Sequence, residues 1–129
     1  MIKVYLVSPY SHSDPEVRKN RVRKVNKFAA LLMMQGYLVF SPLSHSHPIS
    51  KYCAVDPCDH EFWLRQDLWV LDVCDEFHIL CLEGWHDSHG IEVELKRAEK
   101  NGMEIYYHIP KKDIYGTISK ENQGNKGTK

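Results

Sequence analysis

The chain has no charge excess. Its 129 residues hold 17 Lys and Arg against 17 Asp and Glu. A domain that grips a nucleic-acid backbone carries a clear basic surplus, so no polynucleotide partner is expected. Near-neutral proteins also self-associate readily, and a homodimer or higher homo-oligomer is expected. Cysteine is scarce as well. Cys53, Cys58, Cys74 and Cys81 are too few for a disulfide scaffold, and a chain of this size builds a core without staples. No apolar run approaches the ~20 residues of a membrane span. The opening Met1 to Val7 is too short for a signal peptide and runs straight into Ser8-Pro9. The expectation is a cytoplasmic protein with reduced thiols and no membrane partner. At 43% hydrophobic and 26% charged residues, the composition excludes a disordered or fibrous chain.

What is present alternates between two periodicities. Ile2 to Val7 is a short β-branched run closed by Ser8-Pro9, which reads as a buried strand. Ser13 or Asp14, then Pro15 and Glu16, starts a helix that runs to Gly36. Its apolar positions are Val22, Val25, Ala29, Leu32 and Met33. Tyr37 to Phe40 is a second strand. Residues 43–58, with their Ser/His alternations and prolines, read as loop. Asp59 to Cys74 is a second helix, and Glu76 to Leu82 a third strand ended by Gly84. Asp87 or Ser88 caps a third helix that closes at Gly102, and Met103 to Tyr107 is a fourth strand. Strands separated by helices imply a parallel sheet with helices on both faces. A domain over residues 1–109 is expected. Residues 110–129 are expected to form a basic, flexible tail, with five Lys after Pro110 against one Asp and one Glu.

In such folds ligands sit beyond the carboxyl ends of the strands. Two carboxylates are aimed there from positions unsuited to solvent. Ile91, Leu95 and Ala98 mark the buried stripe of the third helix. Glu94 lies about 60° from Ile91, at the edge of that stripe. Glu92 and Glu99 fall on the solvated side. Asp67 lies i+3 from Leu64 and i−4 from Leu71, beside Trp63 and Val70. A carboxylate inside an apolar arc is expensive unless it is paired or used. Each has a structural alternative: Glu94 as a dipole-compensating acid, Asp67 as a loop-bonding one. Two at one sheet edge strengthen the active-site reading. Ser88 and Gly90 at the third helix start offer a hydroxyl and free N–H groups to an anion, or an ordinary cap.

Four segments together carry a family resemblance over residues 2–107. They are Val4-Tyr5-Leu6-Val7-Ser8-Pro9-Tyr10, Ser46-His47-Pro48-Ile49, Asp67-Leu68 ahead of Asp75, and Asp87-Ser88-His89-Gly90-Ile91-Glu92-Val93-Glu94. The sequence resembles the nucleoside 2-deoxyribosyltransferase-like superfamily. It is similar to the nucleoside 5′-monophosphate N-glycosidases and their small bacterial and phage relatives. The resemblance implies a flavodoxin-like, Rossmann-like sheet of four to five strands. It implies Glu94 as nucleophile, Asp67 as the acid that protonates the departing base, and Tyr5 as hydrogen-bond partner of the nucleophile. Ser88 stands where nucleotide-hydrolysing members hold the 5′-phosphate. The implied substrate is therefore a nucleotide, with base exchange on a nucleoside as the alternative. No cofactor is implied. Further substrate contacts are assigned to Ser8, Tyr10, Arg21, His47 and Gly90. The environments should split the two carboxyls: Glu94, at a helix N-terminus, down, and Asp67 up. The loop from Ser50 to His60 should shape the base pocket.

Two rivals stand beside this reading. His45, His47, Cys53, Cys58 and His60 lie within sixteen residues, a possible zinc set, although Cys53 and Cys58 lack a second Cys pair. A non-catalytic nucleotide-binding module would keep Ser88 and Gly90 but need neither carboxylate.

Overall fold

A computed structural model describes residues 1–110. The expected tail beyond Pro110 lies outside the described residues. The elements are β1 (Lys3–Val7), α1 (Pro15–Met34), β2 (Leu38–Phe40), α2 (Pro42–Ser50), α3 (His60–Leu71), β3 (Glu76–Leu80), α4 (His89–Lys100) and β4 (Glu104–His108). The four strands form one wholly parallel sheet in the order β2-β1-β3-β4. This is the α/β, flavodoxin-like architecture expected from the alternation.

Period-two alternation divides the core between the two faces. Val4 and Leu6 of β1 pack with Val25, Phe28, Ala29 and Leu32 of α1. Tyr5 and Val7 pack on the other side with Leu71 of α3 and with Ile91 and Ala98 of α4. Helices therefore cover both faces. The stripe of α1 differs from its expected form at two positions. Phe28 is fully buried, whereas Met33 is half exposed.

The caps explain most boundaries. Asp14 accepts from the Glu16 amide at 2.9 Å, with Pro15 following at N1. Gly36 adopts φ +99° just beyond the end of α1, a conformation that side chains resist. Ser88, not Asp87, caps α4, its Oγ accepting from the Ile91 amide at 3.2 Å. Helix α3 stops at Leu71, three residues short of the expected end.

The larger difference is α2. Residues 42–50 are helical where a loop was expected. Their prolines and Ser/His pattern mislead because the first proline stands where it helps. Pro42 occupies the helix start, where its missing N–H costs nothing. Ser41 Oγ accepts from the Ser44 amide, and Ser44 Oγ hydrogen-bonds Asn26 of α1. Pro48 sits near the other end, two residues before the helix stops.

Candidate active site

All four strands run the same way, so β1, β2 and β3 end at one edge of the sheet. The loops and helix starts beyond that edge enclose a cleft of about 700 Å³, counting its open mouth. Ser8 and Tyr10 line it from the loop after β1, Ser46 and His47 from α2, and Asp67 from α3. Ser88, Gly90 and Glu94 line it from the start of α4. Pro57 and His60 reach it from the segment expected to shape the pocket.

At its floor, Tyr5 Oη donates to Glu94 Oε2 at 2.7 Å, both groups buried. The register explains why the phenol is held firmly. Tyr5 pairs with Phe40 on one side and with Phe77 on the other. Its ring stacks on both, at 5.9 and 6.0 Å. Such aromatic pairs are worth about 0.5–1.5 kcal/mol each beyond their burial. Burial and the Glu94 carboxylate also hold the Tyr5 hydroxyl firmly protonated.

Asp67 is 6% exposed, and burial pushes its carboxyl up to about 7. That direction matches the expectation. Glu94 corrects the other half of it. It was expected to fall under the helix dipole, but it is pushed up to about 8. The largest cause is burial, the Tyr5 hydrogen bond opposes it, and the nearby Asp67 charge adds to it. Glu94 is the sixth residue of α4, and dipole effects fade within the first turn. Desolvation therefore wins. The two carboxyls titrate as a coupled pair: from about 7 to about 8 the pair keeps one proton, which Glu94 binds more tightly than Asp67.

The family described as Domain of unknown function (DUF1937) matches residues 2–108. The chain belongs to this family. A search of curated proteins returns no match. Among solved structures, a 2-deoxyribosyltransferase from Bacillus psychrosaccharolyticus is similar, with a TM-score of 0.60 and 23% identity. The match covers 87% of this chain and 75% of that one. The likeness shows a shared fold, and that fold puts the two carboxylates of this DUF1937 chain at the carboxyl edge of the sheet, where open α/β folds generally bind ligands.

The other residues singled out in the sequence divide between the cleft and its surroundings. Tyr10 Oη and His47 Nδ1 lie 2.9 Å apart on one wall. Burial holds the His47 imidazole below its ordinary range, aided by Lys51, Arg18 and Lys19. Ser8 and Ser88 face the same space. Arg21 does not line the cleft. Its two terminal nitrogens donate to the Ser11 and Glu83 carbonyls, each at 3.0 Å, which ties the loops after β1 and β3 together. Gly84, at φ +92°, leaves room for that guanidinium: a Cβ there would stand 3.0 Å from it. The zinc alternative finds no support, since no group of three His, Cys, Asp or Glu among the described residues is arranged to hold a metal.

Sequence reasoning gave no individual substrate role to several lining residues. Ser11, Ser50, Trp63 and His60 all face the cleft. His60 had drawn notice only as the end of the pocket-shaping loop and as a metal ligand, and a half-buried imidazole at a helix start carries no periodic signal.

Proposed function

We infer that the chain cleaves the N-glycosidic bond of a nucleoside or deoxynucleoside 5′-monophosphate through a glycosyl-enzyme intermediate. One observation carries the reading: two buried carboxyl groups with raised affinity for protons face one cleft, and one of them holds a tyrosine hydroxyl. Retaining glycosyl transfer needs this pair, one carboxylate as nucleophile and one carboxylic acid near the leaving group. The singly protonated pair supplies both in the form that carries its proton on Asp67; Glu94 binds that proton more tightly, so the reactive form is the less populated of the two.

In the first step a Glu94 oxygen bonds to C1′ as the C1′–N bond breaks. The bond's electron pair goes to the base nitrogen system, which takes a proton from Asp67. Tyr5 keeps its proton and orients the attacking carboxylate. In the second step water attacks C1′, its proton passes to Asp67, and the Glu94–C1′ bond breaks. The Ser88 hydroxyl and the free N–H groups of His89 and Gly90 support phosphate recognition at the α4 start. The ligand is a small molecule bound without a cofactor. Exposed Met33, Met34 and Leu38 are consistent with self-association into a homodimer.

A second reading shares the first step. A second base, rather than water, accepts the sugar, which is base exchange. The likeness to a 2-deoxyribosyltransferase favours it. The test is chromatography of reactions containing ribo- and deoxyribonucleosides and their 5′-monophosphates, each with and without a second base. Free base from a monophosphate, absent in Glu94→Gln, supports hydrolysis. A new nucleoside or nucleotide appearing only with the second base supports exchange. Binding without turnover across the whole panel overturns both.

A further inference from the structure

The cleft lining presents a charge problem. A phosphate monoester carries up to two negative charges, yet among the described residues no Lys or Arg lines the cleft. Arg21 is committed to two backbone carbonyls. Arg18 lies close to Tyr10, with its own guanidinium on the His12 carbonyl. The lining side chains able to carry positive charge are His47 and His60. His47 is engaged with Tyr10 and biased toward its neutral form.

His60 stands differently. It opens α3, and its ring lies over the start of α4. A methyl group on Gly90 would sit 3.6 Å from its Nδ1. Its Nε2 is 3.5 Å from Ser11 Oγ. Its ring centre lies 5.3 Å from that of His89. The imidazole thus flanks the helix end whose first two N–H groups are unbonded and whose third is taken by Ser88. A second feature of the cleft independently points to a ligand. Ser8 is 6% exposed, lines the cleft, and its hydroxyl has no hydrogen-bond partner among the described residues. Buried hydroxyls are normally satisfied, so the site is built to be completed by a bound polar molecule.

We propose that His60 is a specificity-determining residue whose imidazole N–H, together with the α4 start, selects a 5′-phosphorylated substrate over the free nucleoside. The inference rests on the nucleotide reading above. The physical basis is that a charge-assisted hydrogen bond is roughly twice as strong as a neutral one. It is also absent for a nucleoside, so it discriminates.

The measurement is the ratio of kcat/KM for a nucleoside 5′-monophosphate to that for the matching nucleoside. It is taken for the wild type and for His60→Gln, His60→Arg and Arg18→Gln. The expected ratio falls about tenfold or more in His60→Gln, is retained in His60→Arg, and changes little in Arg18→Gln. Nucleoside kcat/KM should stay within about threefold of wild type in His60→Gln, which shows that the cleft is intact. An unchanged ratio in His60→Gln overturns the proposal while leaving the nucleotide reading in place. So does a loss confined to Arg18→Gln. A wild-type enzyme that prefers nucleosides overturns the nucleotide reading itself.

Discussion

The two edges of the sheet treat carboxylates in opposite ways. At the amino edge, Asp72 accepts from Arg97 and Asn101, which hold its carboxyl down at about 2. Asp75 accepts from the Lys3 amide at 2.8 Å and is likewise lowered. These contacts tie α3 to α4 and β3 to β1. At the carboxyl edge, Asp67 and Glu94 are buried, and no Lys or Arg acts on either among the described residues. Asp72 stands five residues after Asp67, with the same side chain and the opposite shift. The difference comes from surroundings alone: partnered and exposed at one edge, desolvated at the other. One edge pairs its carboxylates with cations and amides, and the other buries its carboxyls away from any Lys or Arg among the described residues.

The sharpest way to break this comparison is at Glu94. We expect Glu94→Gln to cut base release by about a thousandfold or more, since the variant lacks a nucleophile. Circular dichroism should show it folded. Near-normal turnover would remove the covalent mechanism and leave Glu94 a buried structural acid.

Asp67 comes next. The wild-type rate should be bell-shaped in pH, with its maximum between about 7 and 8, where the pair holds one proton. Asp67→Asn should lower kcat by about a hundredfold and abolish the alkaline limb, because no acid remains to lose. The acid limb should remain, because Glu94 must still lose its proton to attack. A surviving alkaline limb would assign the leaving-group proton to another residue. Tyr5→Phe should cost less, about tenfold in kcat/KM. It should shift the acid limb upward, because the Tyr5 hydrogen bond lowers the Glu94 carboxyl. A tenfold loss with an unmoved limb would mean that the hydroxyl does not set the Glu94 protonation state.

Most of the frame was legible because its signals are local and periodic. Pro15 behind Asp14, Gly36 after α1 and the alternation in β1 each fix a boundary or a face within a few residues. The placement of Asp67 and Glu94 on the buried side followed from helical spacing to Leu64, Leu71, Ile91 and Ala98. Helix α2 was not legible, because Pro42 and Pro48 lower intrinsic propensity while its stability comes from the Ser41 cap and from packing on α1. The direction of the Glu94 shift was missed for a related reason. Spacing places a residue on a face, but the depth of burial depends on Tyr5 of β1 and on α3 packing against it. His60 and Arg21 illustrate the same limit. Nothing in their sequence neighbourhood tells which one faces the cleft and which one braces two loops.

The smallest effect concerns stability, and it tests the two edges directly. Asp67 and Glu94 have ordinary values of 3.8 and 4.5, and folding raises them to about 7 and about 8. Both bind protons more tightly folded than unfolded. Their contribution is complete below about pH 4 and is lost as pH rises through about 7 to 8. Glu94→Gln removes that loss. It should exceed wild-type stability at pH 8 by on the order of 2 kcal/mol, about 4–8 °C in Tm, with the gap shrinking toward pH 5. Asp72 has the opposite sign. Its folded value is depressed, so its contribution is present above about 4 and disappears as pH falls toward 2. Asp72→Asn should therefore lower Tm at pH 7, lose that deficit at pH 2, and leave turnover unchanged. A Glu94→Gln protein less stable than wild type at pH 8 would show that the cleft carboxyl supports the fold as Asp72 does, and the functional division between the edges would fail.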